Sequence, residues 1–118
     1  MQVKTELEER TKKFAVQVVK TVSAFPGTSE GQIIGRQLLK SGTSIGANYR
    51  EANRAESKDD FVHKVGVAEK EAAETIYWLE ICRECRLGIR ETIDRLHKEA
   101  GELLAILITI GRKTKSSK

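Results

Sequence analysis

At 118 residues the chain is long enough for one domain with a modest core and too short for two. Hydrophobic residues make up 39% and charged residues 32%, and the longest apolar run, Leu103 to Ile108, is far below the roughly 20 residues a bilayer span needs. A formal charge of +4 makes the chain mildly basic, which is compatible with a nucleic-acid partner but proves none.

The N-terminus, MQVKTELEERTKKF, has no apolar run of signal-peptide type. The two cysteines then point to a reducing compartment, free thiols and the cytoplasm. A first helix is expected from Val3 to Ala24, with Val3, Leu7, Phe14, Val18 and Val22 at helical spacing. Phe25-Pro26-Gly27 ends it, because Pro disfavours helical geometry in the residue before it. Thr28 or Ser29 can cap the second helix, and Gln32 three residues after Ser29 completes a capping-box pattern.

The second helix, expected to run to Ala55–Glu56, sorts into three faces at about 100° per residue. Ile34, Leu38, Ser41, Ile45, Asn48 and Ala52 form an inner stripe. Arg36, Lys40, Arg50, Arg54 and Lys58 fall almost opposite, within about 40° either way of one line. Gly31, Gly35, Gly42 and Gly46 line up beside the inner stripe. Each interior Gly costs roughly 0.8–1.0 kcal/mol relative to Ala, so four on one face imply a flat strip where another helix comes close. Its own chain and a neighbouring subunit are equally open as the source of that helix.

Ser57-Lys58-Asp59-Asp60 resembles an N-cap followed by acidic residues, which suit the positive end of a helix dipole. A third helix to Arg86 uses Phe61, Val65, Ala68, Ala72, Ile76 and Leu79 as its core face, with Gly88 as the stop. Val67, Trp78, Ile81 and Cys85 form a second apolar stripe roughly 120° away. A bundle helix needs one buried stripe, so the second suggests an oligomer interface. The fourth helix, Ile89 to Gly111, buries Ile93, Leu96, Ala100, Leu103, Leu104, Leu107 and Ile110. Residues 112–118 read as a disordered basic tail outside a bundle of residues 1–111. Four helices joined by short turns give an all-α, antiparallel, up-down-up-down four-helix bundle.

Phe25-Pro26, Glu30, Gln37, Lys40, Ser44-Ile45, Asn48 and Glu51-Ala52 follow the pattern F-P-x-x-x-E, Q-x-x-R, S-I-x-x-N-x-x-E. In this the chain resembles the bacterial four-helix-bundle family, also called the 23S rRNA intervening-sequence protein family. Phe61, Ala68, Glu74 and Leu79 fit that family's third helix, and SGTSIGANYREA (residues 41–52) is the most specific part. A relative is the accessory variability protein of diversity-generating retroelements. The resemblance implies a protomer that assembles as a ring-like homopentamer. For the retroelement relative it further implies a basic nucleic-acid surface and a reverse-transcriptase partner. Lys40 stands where the family often has Arg, which keeps the charge but loses the planar fork. Gly46-Ala47 and Tyr49-Arg50 also replace the family's more usual residues.

The basic stripe Arg36, Lys40, Arg50, Arg54 and Lys58 is the leading functional candidate, with no acidic residue on its line. Such cations meet RNA or DNA phosphates with counterion release, giving salt-dependent and weakly sequence-specific binding. The competing reading is a solvated outer face on a structural or adaptor oligomer that binds another protein. Ser44, Asn48, Glu51 and Glu74 read as a structural motif; Asn48 falls on the inner face, where a buried Asn can specify register or oligomeric state. Cys82-x-x-Cys85 lies near a helix C-terminus, where thiolates are not favoured, and reads as two packed thiols. Asp60-x-x-His63 and Asp94-x-x-His97 faintly resemble the Glu-x-x-His pairs of di-iron bundles, but His63 points away from the core. No nucleophile motif or phosphate loop is evident, so no enzyme activity, cofactor, metal or membrane role is expected.

Overall fold

A computed structural model describes residues 3–117. It contains α1 (Val3–Ser23), α2 (Ser29–Ala52), α3 (Lys58–Glu84) and α4 (Arg90–Ser116), and no strand occurs among the described residues. Neighbouring helices run antiparallel. Asn53, just past α2, donates to Glu8 near the start of α1 at 2.8 Å, and Arg83 near the end of α3 pairs with Asp94 near the start of α4 at 2.9 Å. The bundle measures 50 × 26 × 19 Å, and its helices pack in the order α1–α2–α3–α4, with α1 and α4 touching only sparsely.

The predicted apolar stripes supply most of the observed core, which also takes in Tyr49 and Cys82 from outside them, while Val22, Ile34 and Asn48 are only half-buried. Leu7, Phe14 and Val18 of α1 meet Leu38 and Ile45 of α2, Val65, Ala68, Ala72 and Leu79 of α3, and Ile93, Leu96, Leu103 and Leu107 of α4 in one buried cluster. Phe61, Ile76, Leu104 and Ile110 pack on its edge. Each fully buried large aliphatic side chain contributes roughly 1.5–3 kcal/mol through apolar area removed from water. The side chain of Val3 lies outside the described residues.

Three glycines of the strip, Gly35, Gly42 and Gly46, pack within the chain against α1, while Gly31 sits against Pro26 in the preceding turn. A methyl group at Gly42 would sit 3.0 Å from both Val18 methyls, and one at Gly46 would sit 2.8 Å from the Thr11 hydroxyl oxygen. At Gly35 it would meet Val22 at 3.1 Å. The absent side chains thus let the α1 and α2 backbones approach, and the helix-propensity cost of the glycines is offset by this contact.

Several boundaries differ from the sequence reading. Of the two expected caps Thr28 is the one used, accepting from the Gly31 amide at 3.1 Å, but Gln32 donates to the Gly27 carbonyl instead of closing the expected capping box with Ser29. α2 stops at Ala52, not Ala55–Glu56, because Asn53 turns its amide side chain to Glu8 of α1 and the chain bends toward the next cap, Ser57. α3 ends at Glu84, before the expected stop. Arg86 adopts φ +57°, with the Leu87 amide donating to the Cys82 carbonyl at 2.9 Å. This is the Schellman closure, carried by an arginine rather than by Gly88, and the buried Leu87 holds it in place. Gly88 follows with φ +78° and redirects the chain into α4.

The expected disordered tail is helical: α4 continues to Ser116, with Thr114 bonding back to the Ile110 carbonyl. Basic Lys113 and Lys115 suit the negative end of the helix dipole, and the Lys58 ammonium donates to the Ser117 carbonyl. Lys118 lies outside the described residues.

Candidate nucleic-acid interface

The five-residue basic stripe is not a single helical line. Arg36, Lys40 and Arg50 project from the outer face of α2, but Arg54 sits in the turn after it and Lys58 opens α3. The cause is the early end of α2 at Ala52, which moves the last two cations off the helical repeat. All five remain exposed.

Their electrostatic surroundings differ. Arg50 lies 3.4 Å from Glu9 and 4.0 Å from Glu8, so carboxylates of α1 balance part of its charge. Lys58 donates to the Ser117 carbonyl. Arg36, Lys40 and Arg54 have no carboxylate within ion-pair reach among the described residues. Lys40 does lie near Glu71, whose carboxyl is raised from its ordinary value. Burial is the larger cause and the neighbouring Glu74 charge adds to it, while Lys40 and Lys70 oppose the rise.

Sequence reasoning placed Arg112, Lys113 and Lys115 in a loose tail. As residues of the last turns of α4 they are held at the same end of the bundle as Arg54 and Lys58. The misleading signal was Gly111, which reads as a helix stop in the sequence but is buried inside α4, close to the Glu69 carboxylate.

The proposed interface residues occupy the outer side of α3. Val67, Trp78 and Ile81 are half-buried and Cys85 is exposed. Trp78 meets the ring of Tyr77 edge-on, with centroids 5.0 Å apart, and Tyr77 is 55% exposed. Tyr77 was missed because it lies beyond the second apolar stripe, almost opposite the core face, where a polar residue is expected. Cys82 separates from its partner in the C-x-x-C pair. It lies in the core, where burial and the nearby Cys85 push its thiol up to about 11.

Of the motif polar groups, Asn48 was the one expected on the inner face. Asn48 is half-buried and donates to the Ser44 carbonyl of its own helix at 2.8 Å, so it locks no register between helices. Ser44 likewise donates to the Lys40 carbonyl, and Glu51 and Glu74 are exposed. One helical turn of separation makes these local back-bonds easier than a contact across the seam.

The two Asp-x-x-His pairs do not converge. Asp60 pairs with Lys64 at 3.4 Å, and His97 contacts Glu80 at 3.0 Å. Asp94 is held between Arg83 and Arg90. Desolvation would raise its carboxyl, but hydrogen bonds from the two guanidiniums outweigh that and keep it below the usual carboxylate range. No group of three metal-ligating side chains converges among the described residues.

Where α1 and α4 diverge, a groove of about 680 Å³ opens, lined by Lys13, Phe14, Gln17, Arg95, Leu96 and Lys98 among others. A second hollow of about 460 Å³ shares Gln17, Thr92 and Arg95 and continues it toward Lys20 and Ile89. At the other end Arg10 closes the seam, bonding Glu99 and Glu102 at 2.7 Å each; these bonds, led by Glu99, raise its pKa further.

A family model described as 23S rRNA-intervening sequence protein matches residues 4–109. No curated protein matches the chain. Among solved structures, the chain is similar to the crystal structure of a protein with unknown function from the S23 ribosomal protein family of Bacteroides thetaiotaomicron VPI-5482. The two are 36% identical, with a TM-score of 0.82, over 88% of this chain and 96% of that one.

Proposed function

The chain belongs to the 23S rRNA-intervening sequence protein family, and we propose that it is a non-catalytic, self-associating bundle that binds structured RNA or DNA. The observation that carries this reading is the exposed set Arg36, Lys40 and Arg54, none of which forms an ion pair with a carboxylate among the described residues. A solvated structural face is normally interleaved with acids, as Arg50 is with Glu8 and Glu9. The family's name ties it to an intervening sequence in 23S rRNA, so a structured rRNA segment is the first ligand to try.

Self-association draws on the half-exposed Tyr77–Trp78 pair and on the assembly that the family resemblance implies, a pentamer. Repetition of a weak basic patch around an oligomer would raise avidity without new contacts. We extend the proposal to a cytoplasmic setting and to delivery of the nucleic acid to a protein partner, a reverse transcriptase where one is encoded alongside. No described helix is long and apolar enough to cross a membrane.

The test is affinity for structured RNA and duplex DNA across a salt series. For duplex DNA, Arg36→Ala/Lys40→Ala/Arg54→Ala should flatten the slope of log affinity against log salt by roughly 2 to 3, at about 0.9 for each phosphate no longer neutralised. Arg50→Ala should change it less. An unchanged slope and affinity in the triple variant would remove the basic-face reading.

A further inference from the structure

We propose that the groove between α1 and α4 is the receptor for the outer ridge of α3 from a second copy of this chain. The inference rests on the self-association proposed above and specifies both halves of the contact.

The ridge consists of Glu74, Tyr77, Trp78, Ile81 and Glu84, which fall within about 60° either side of one line along α3. Its middle is apolar, with Tyr77 55% exposed and standing edge-on to Trp78. Its ends are carboxylates: Glu74 and Glu84 are exposed and neither has a cation within ion-pair reach among the described residues. Ten residues of helix separate them by about 15 Å.

The groove has the inverse arrangement. Its floor carries Phe14 and Leu96, while Lys13, Lys20, Arg95 and Lys98 stand exposed around it. None of these four pairs with a carboxylate among the described residues, because Arg10 already holds Glu99 and Glu102. Lys13 and Lys20 lie seven residues apart on α1, about 10 Å, within side-chain reach of carboxylates at the ridge's spacing. An apolar ridge tipped by acids thus faces a partly apolar groove rimmed by bases.

No chain can fill its own groove. α1 and α3 are diagonal in the bundle with no close backbone approach, and the ridge lies on the side of α3 opposite its core stripe, so it points away from the groove. The contact is therefore heterologous, ridge to groove, and copies linked this way either close into a ring or extend as a filament. Burial of Trp78 and Tyr77 would supply the anchor, and the charges would select register.

The experiment is light scattering at micromolar concentration, with circular dichroism to confirm helix content. Lys13→Glu/Arg95→Glu alone and Glu74→Lys/Glu84→Lys alone should each fall from the wild-type mass to 13.2 kDa. Mixing the two variants, or combining all four changes in one chain, should restore a larger species because the complementarity is inverted rather than removed. Tyr77→Ala/Trp78→Ala should also give 13.2 kDa, with every charge left in place. A wild-type monomer would overturn self-association itself. A wild-type oligomer whose mass survives the charge reversals, or is not restored by the swap, would overturn only this pairing. Reversal of Lys13 and Arg95 that leaves the mass intact but abolishes RNA binding would assign the groove to phosphates instead and would equally overturn it.

Discussion

Gly46→Ala tests the close approach of α1 and α2 most directly. In a helix free of neighbours the change should stabilise by about 0.8–1.0 kcal/mol through propensity alone. Here the new methyl would lie 2.8 Å from the Thr11 hydroxyl oxygen and 3.0 Å from Thr11 Cβ. Thr11 cannot easily yield. It is fully buried, branched at Cβ, and its hydroxyl donates to the Leu7 and Glu8 carbonyls at 2.9 and 3.0 Å. Relief requires the helices to separate, and overpacking of this kind costs about 1–3 kcal/mol. The net expectation is a loss of about 1 kcal/mol, or roughly 3–6 °C in Tm for a domain of this size. Gly66 and Gly101 are internal controls, since a methyl at either meets nothing within 4 Å. Their alanine variants should gain about 0.8–1.0 kcal/mol in urea unfolding. The gap between Gly46→Ala and Gly101→Ala isolates the packing contribution. If Gly46→Ala is as stabilising as Gly101→Ala, the two helices do not meet as described.

Three further changes probe separate features. Arg86→Gly should raise the urea midpoint by the equivalent of about 0.5–1 kcal/mol, because the left-handed conformation at φ +57° disfavours any side chain. Glu71→Gln should stabilise at pH 7: its raised pKa means that the native state disfavours the charge. That gain should vanish as pH falls below the ordinary Glu value of about 4, where wild type is protonated in both states. Asp94→Asn should do the reverse. The lowered Asp94 pKa gives stability above about pH 4 that wild type loses as acid protonates it, so the variant should be weaker at pH 7 and show a shallower acid loss in Tm.

The fold was legible because every helix carries its core residues at a 3.6-residue period, and Pro26 and Ser57 mark two of the three connections. The ends were less legible, for reasons local to each. Asn53 could have continued α2, and only its tertiary bond to Glu8 shows why it does not. Arg86 is a poor residue for a left-handed cap, so the sequence pointed to Gly88, while the buried Leu87 decides the matter in three dimensions. The same limit applied to the basic stripe: a helical projection extended past Ala52 aligned Arg54 and Lys58 with residues they do not follow in space. Asn48 shows a further gap. Periodicity assigned it to the inner face, but it does not distinguish a bond across helices from one to the carbonyl four residues earlier.

The placement of α2 separates the two proposed roles. Its glycine face is covered by α1 and its other inner flank by α3, so only the outer face with Arg36 and Lys40 stays open. The ridge belongs to α3 and the groove to α1 and α4, so a ridge-to-groove contact uses neither of those cations. Assembly through that contact would therefore repeat the basic face without burying it. Charge reversal in the groove would then weaken RNA binding through reduced avidity, while substitution of Arg36 and Lys40 would weaken it with the assembly intact. Measuring mass and affinity on both variants distinguishes a scaffold that multiplies a binding surface from a binding surface that is itself the interface. In the latter case the Arg36 and Lys40 variant would lose mass and affinity together.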